Sequence, residues 1–88
     1  MSYKLIISDR CKIQIDSLDK SDHLLLESWL KKHLVNCDDP KAFGKPLVDD
    51  KKGLWRYKIG NYRSIAQIKE NELIILALDC GHRSLIYK

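Results

Sequence analysis

The residues best placed to do chemistry lie in one short segment, GLWRYKIGNYRSIAQI at positions 53–68, where Arg56, Lys58 and Arg63 alternate with apolar and aromatic side chains. Gly60-Asn61 is a signal for a two-residue hairpin turn. Counting outward from that turn sets Ile59 against Tyr62, Lys58 against Arg63, Tyr57 against Ser64 and Arg56 against Ile65. Side chains on a strand alternate between its two faces. One face then carries Trp55, Tyr57, Ile59, Tyr62 and Ala66, a natural cover for helices. The other carries Arg56, Lys58 and Arg63. Like charges directly across a strand pair oppose pairing, so Lys58 facing Arg63 is a poor choice for folding alone. A bound polyanion would offset the repulsion. The competing reading is that both side chains splay into water, or only discourage edge-to-edge association.

A second group of reactive residues sits near the end of the chain: Gly81-His82-Arg83 and Tyr87. With Gly81 read as the end of a strand, Arg83 reaches the same cationic face. An imidazole titrates near neutrality, which makes His82 a candidate for proton transfer, although a lone histidine is more often a plain surface residue. Cys80 and His82 supply only half of a metal-ligand set, with no second pair to complete it, so neither a metal nor another cofactor is expected.

The surrounding composition supports a polyanionic partner. The 88 residues carry a formal net charge of +4, with a sequence pI near 9.0. Excess positive charge speeds encounter with nucleic acid, an anionic membrane or an acidic protein. The length suffices for one modest core, so residues 1–88 are read as a single domain. Three cysteines at wide spacing, Cys11, Cys37 and Cys80, do not form a disulfide framework and fit a reducing cytoplasm. The opening MSYKLIISDR has an acid close behind a short apolar run, which reads as a strand rather than a signal peptide. No apolar run is long enough for a membrane-spanning helix.

The elements that position these residues can be read in order. Residues 3–7 are β-branched and aromatic and predict a strand. Residues 9–18 place Cys11, Ile15 and Leu18, with Ile13, on a helix capped by Ser8 or Asp9. A second helix, capped by Ser21 or Asp22, presents Leu25, Leu26, Trp29, Leu30, His33 and Leu34 as one apolar stripe. It stops before Pro40, and the two helices form a hairpin. Residues 41–53 read as a loop, with Leu47 anchored in the core and Asp49-Asp50-Lys51-Lys52 as a solvated turn. Strands follow at 54–59, 62–68 and 73–78, with a turn at Glu70-Asn71, a break at Gly81 and a last short strand at 84–87. The fold class is α+β: a small curved antiparallel sheet with an N-terminal strand and a two-helix hairpin on one face.

The run from Leu54 to Arg63, LWRYKIGNYR, resembles the "lwR-x-R/K-v-G-x-Y-R" segment of the RelE/ParE superfamily of toxins. Gly81-His82-Arg83 with Tyr87 resembles the family's "G-H-R…v-Y" ending. Asp39-Pro40 and Gly44-Lys45-Pro46-Leu47 resemble its "d-P…g-k-x-L" middle. The resemblance implies a toxin of a type II toxin–antitoxin system, held inactive by a cognate antitoxin. RelE-type members are ribosome-dependent endoribonucleases that cut mRNA in the ribosomal A site by attack of a 2′-hydroxyl on the adjacent phosphorus. Carried over by position, Lys58 matches the general base, Arg63 the transition-state stabiliser, Arg83 the group near the leaving oxygen and Tyr87 the nucleotide-orienting tyrosine. Arg56 would bind phosphate and His82 would be an alternative acid or substrate contact. Arg56 stands where the RelE prototype has a lysine, and a guanidinium cannot shuttle protons. The turn at Gly60-Asn61 is also shorter than the prototype's. Two other readings share the fold: a ParE-like inhibitor of DNA gyrase without nuclease activity, and a non-catalytic RNA-binding domain.

Overall fold

A computed structural model describes residues 2–47 and 53–82. In chain order the elements are β1 (Lys4–Ile7), α1 (Asp9–Asp16), α2 (Lys20–His33), a 3₁₀ turn at Pro40–Phe43, β2 (Lys45–Pro46), β3 (Leu54–Ile59), β4 (Tyr62–Lys69) and β5 (Ile74–His82). The strands form one five-stranded sheet in the order β1-β5-β4-β3-β2. From β2 through β5 every pairing is antiparallel, while β1 lies parallel to β5, with Lys4 beside Ile74 and Ile7 beside Ala77. The expected α+β arrangement is present, and the N-terminal strand contributes the one parallel edge.

The helical hairpin forms where the apolar spacing placed it, with differences at its ends. Ser8 caps α1 by accepting a hydrogen bond from the Cys11 backbone N–H. α2 starts earlier than expected and is capped by Asp19, which accepts from the Asp22 N–H at 3.0 Å, not by Ser21 or Asp22. Asp22 is used elsewhere: its carboxylate accepts the Tyr62 hydroxyl hydrogen at 2.6 Å and ties α2 to the start of β4. That bond favours the neutral phenol and pushes the Tyr62 pKa up to about 12.

Cys11 and Ile15 of α1 and Leu26, Leu30 and Leu34 along α2 are buried against Tyr57, Ile59, Ala66, Ile75, Ala77 and Cys80 of the sheet. Tyr57 and Ile59 on β3 and Ile75 and Ala77 on β5 occupy alternate strand positions, so this part of the inward face is legible from spacing alone. Ile13 lies off the buried stripe and is 69% exposed. Leu25 is also exposed, one residue out of phase with Leu26.

Two stretches depart from the sequence reading. Residues 41–47 are not simple loop: they complete the 3₁₀ turn and add the edge strand β2, where Lys45 pairs with Arg56 and Pro46 with Trp55. Leu47 is half-buried, and its N–H donates to the Leu54 carbonyl rather than the side chain joining the core cluster. β5 does not stop at Gly81 but runs through it, with Gly81 opposite Arg63 and His82 opposite Tyr62. Its irregularity comes earlier, where Ile65 pairs with Asp79 and the neighbouring Ala66 with Ala77, leaving Leu78 as a bulge. The charge run at 49–52 and the strand expected at 84–87 lie outside the described residues.

Leu30→Ala, which empties a fully enclosed site, should cost about 2–5 kcal/mol, whereas Ile13→Ala on the exposed face should stay within about 0.5 kcal/mol, both read by urea unfolding. The raised Tyr62 pKa stabilises the folded state below the ordinary phenol value near 10, and this contribution disappears as pH rises from there through about 12. The stability advantage of the wild-type chain over Tyr62→Phe should therefore shrink across that alkaline interval and hold constant between pH 7 and 9.

Candidate nucleic-acid interface

The hairpin turn builds the site. Gly60 has φ of +61°, which a two-residue turn needs and glycine adopts without strain. With that turn set, Lys58 pairs with Arg63, Tyr57 with Ser64, Arg56 with Ile65 and Ile59 with Tyr62. This is the register obtained by counting. Tyr57 and Ile59 are buried beneath the helices, and Arg56, Lys58 and Arg63 project from the opposite side.

Those three cations share a cleft of about 430 Å³ with Ala42, Phe43, Gly44 and Lys45. Four of its seven lining residues are thus basic, and no carboxylate lines it among the described residues. Lys58 is exposed and Arg56 half-buried. Arg63 is 9% exposed, and its guanidinium donates to the carbonyls of Tyr62 at 2.9 Å and Gly60 at 3.3 Å. These backbone bonds answer the repulsion between Lys58 and Arg63. They draw the Arg63 charge onto carbonyl dipoles at the turn and fix its position in the cleft wall.

The nearest acid on β5 is steered away. Asp79 pairs opposite Ile65, yet its carboxylate accepts from Gln14 of α1 at 2.6 Å and lies 3.6 Å from the Arg10 guanidinium. Gln14 closes the link by accepting the Cys80 backbone N–H at 2.9 Å. These contacts hold the one acidic residue of β5 against α1, and the cleft keeps its positive field. In the same place, a shared hydrogen bond with Cys11 and burial hold the Cys80 thiol well above its ordinary pKa, an inert pair inside the core.

The second wall comes from the 3₁₀ turn, an element whose residues read as loop in the sequence. Asp39 caps it by accepting the Lys41 N–H at 3.2 Å. The Tyr57 hydroxyl, buried and with its pKa raised by desolvation, donates to the Pro40 carbonyl at 2.8 Å. Gly44 lets this wall approach β3. A Cβ there would stand 2.5 Å from the Arg56 carbonyl oxygen and 2.8 Å from the Tyr57 ring. Lys45, which the cleft recruits through β2, escapes sequence reasoning because nothing in its local pattern marks an edge strand of two residues.

The other expected site residues divide. His82 does not join the cleft: it pairs with Tyr62 on the helix side, with ring centroids 5.8 Å apart in an edge-on contact. The reason is the bulge, which resets the alternation of β5 so that Gly81, without a side chain, falls opposite Arg63. Arg83 and Tyr87 lie outside the described residues. No grouping of three or more potential metal ligands occurs among the described residues, and no described helix is long and apolar enough to cross a membrane.

Known proteins resemble this chain in fold and family. Residues 5–87 match the family described as ParE toxin of type II toxin-antitoxin system, parDE. Among solved structures, the toxin–antitoxin complex RelBE2 from Mycobacterium tuberculosis aligns with a TM-score of 0.78 at 18% identity, covering 94% of this chain and 100% of the other. The isolated RelE toxin of E. coli aligns with a TM-score of 0.72 at 18% identity, covering 98% and 92%. The archaeal RelE–RelB complex from Pyrococcus horikoshii aligns at 0.68 and 19% identity, covering 94% and 97%. No curated protein sequence matches.

Gly44→Ala should push the 3₁₀ wall off β3, with a loss of about 1–3 kcal/mol in chemical denaturation from overpacking alone. A variant as stable as the parent would mean that the wall is free to shift. With its family profile spanning nearly the full length and its sheet superposing on RelE toxins, the chain belongs to the RelE/ParE superfamily of type II toxin–antitoxin toxins.

Proposed function

We propose that the cationic cleft grips a scissile RNA phosphodiester and that the protein is an endoribonuclease cutting mRNA in the ribosomal A site, in the cytoplasm, under the control of a cognate antitoxin. The observation that carries this reading is the convergence of Lys45, Arg56, Lys58 and Arg63 on one cleft that no described carboxylate lines. The solved RelBE complexes, whose toxins share this fold, motivate the antitoxin.

The reaction forms a bond from the ribose 2′-oxygen to phosphorus and breaks the bond from phosphorus to the 5′-oxygen. The products are a 2′,3′-cyclic phosphate and a 5′-hydroxyl end. Lys58, exposed in the cleft, is the base that takes the 2′-hydroxyl proton in its neutral form. Arg63, held by two backbone carbonyls, is preorganised to face the extra negative charge of the pentacoordinate state. Arg56 holds a non-bridging phosphate oxygen. Arg83 stabilises the negative charge on the departing 5′-oxygen, which takes its proton from solvent, and Tyr87 orients the nucleotide, roles that rest on the resemblance. The cations meet the charge demands of this reaction without a metal ion.

One observation favours a second reading: the matching family profile is that of ParE toxins. In that case the chain inhibits DNA gyrase and cuts no RNA.

The two are separated by 5′-end mapping of mRNA in a translation extract and by a gyrase supercoiling assay. The nuclease reading expects discrete cuts that require ribosomes, and supercoiling that proceeds normally; supercoiling arrest with intact mRNA overturns it. Arg63→Ala should reduce cleavage by about 100-fold or more, the scale for losing one preorganised transition-state donor. Arg83→Ala should likewise relieve growth arrest. In both variants antitoxin binding should be largely retained in a pull-down.

A further inference from the structure

Phe43 is an aromatic ring left 44% exposed in a wall of the cationic cleft. The ring is held from behind. His33 meets it edge-on with centroids 5.0 Å apart, and His33 is stacked on Trp29 at 4.4 Å. The His33 ring is itself fixed, because its Nδ1–H donates to the Trp29 carbonyl at 3.1 Å. Trp29 in turn packs on Tyr57 at 5.6 Å, and Tyr57 donates to Pro40 at the start of the turn that carries Phe43. A chain of four rings thus runs from the core to the surface and ends at the cleft.

Packing on His33 still leaves Phe43 44% exposed, apolar surface that costs free energy in water. The ring is also separated in the sheet from the other exposed apolar residues of strand character, Ile6 and Ile7, which lie on β1 at the far edge. Its companions in the cleft are Lys45, Arg56, Lys58 and Arg63. An apolar protein surface docking on Phe43 would have to desolvate these cations, which is expensive without paired anions. A polyanion whose repeating unit also offers a flat π-face suits both features. Single-stranded nucleic acid has that chemistry: phosphates for the basic groove and unstacked bases for the aromatic ring.

We propose that Phe43 is a base-stacking platform, which receives the nucleobase next to the phosphate held by Arg56, Lys58 and Arg63. This rests on the reading of the cleft as an RNA site and assigns the base a surface of its own. Stacking is indifferent to hydrogen-bond pattern, so the platform positions a nucleotide without choosing its sequence.

The test uses the full chain and 2′-O-methyl RNA decamers, which cannot be cut, compared with decamers of the same backbone made abasic at successive positions. Binding is measured by fluorescence anisotropy across a range of salt. The wild-type protein should bind the complete strand more tightly than a strand abasic at one particular position. Phe43→Leu, which keeps apolar bulk and lacks a π-face, should lose roughly five- to hundredfold in affinity and no longer distinguish that abasic strand, and Phe43→Trp should restore both. The slope of affinity against salt, which counts phosphates, should be unchanged in Phe43→Leu and reduced in Lys45→Ala. If wild-type protein binds complete and abasic strands equally, with a steep salt slope, the platform is overturned while the cationic cleft stands. If it binds neither strand, the RNA reading of the cleft falls, and the platform with it. If Phe43→Leu binds RNA normally but loses antitoxin in a pull-down, the ring is a protein-docking contact and the proposal is wrong. The abasic series on the wild-type chain decides the matter even where a substitution disturbs folding.

Discussion

The pairing of Lys58 with Arg63 across the β3–β4 hairpin is the constraint around which the rest of the site is arranged. Two cations facing each other on neighbouring strands oppose the sheet they belong to. The register is nevertheless firm. Gly60 closes the turn in a conformation that glycine adopts freely, and a slip by one residue would bring Tyr57 and Ile59 out of the core and drive charges under the helices. Burial of the inner face therefore dictates where the outer face places its charges. Arg63 relieves part of the repulsion by donating to the turn carbonyls, and the same two bonds hold its guanidinium in place.

Two further features keep the cleft positive. Gln14 and Arg10 of α1 hold the Asp79 carboxylate, although Asp79 pairs opposite Ile65, so it does not line the cleft. On the opposite side, the 3₁₀ turn and β2 bring Lys45 and Phe43 against β3, an approach that depends on Gly44. The Tyr57 hydroxyl joins these halves: its ring is part of the core and its O–H holds the Pro40 carbonyl. Core packing and cleft shape are thus mechanically linked through one side chain.

The α+β fold, shared with RelE toxins, keeps the cationic face apart from the helical layer. Arg56, Lys58 and Arg63 point away from the hairpin of helices, and α2 covers the opposite side of the sheet. A fold of this kind is a scaffold for more than one activity, which is why membership of the superfamily by itself leaves nuclease and gyrase inhibitor distinct. The charge and shape of the cleft are the grounds on which RNA is proposed.

Much of this is legible in the linear chain because it depends on periodicity and local turn chemistry. The hairpin register, the inward set Tyr57, Ile59 and Ala66, the outward set Arg56, Lys58 and Arg63, and the buried stripe Leu26, Leu30 and Leu34 all follow from counting in steps of two or of three and four. What counting cannot supply is anything set by contact between distant segments. The capping of α2 by Asp19 is such a case, since Asp22 is committed to Tyr62, forty positions away. So are the recruitment of Lys45 and Phe43 to the cleft and the turning of His82 to the helix side by a bulge that no local signal announces. Alternation determines which face a residue takes on a regular strand. Only the packed structure decides where the strand ceases to be regular and which remote segment comes to stand beside it.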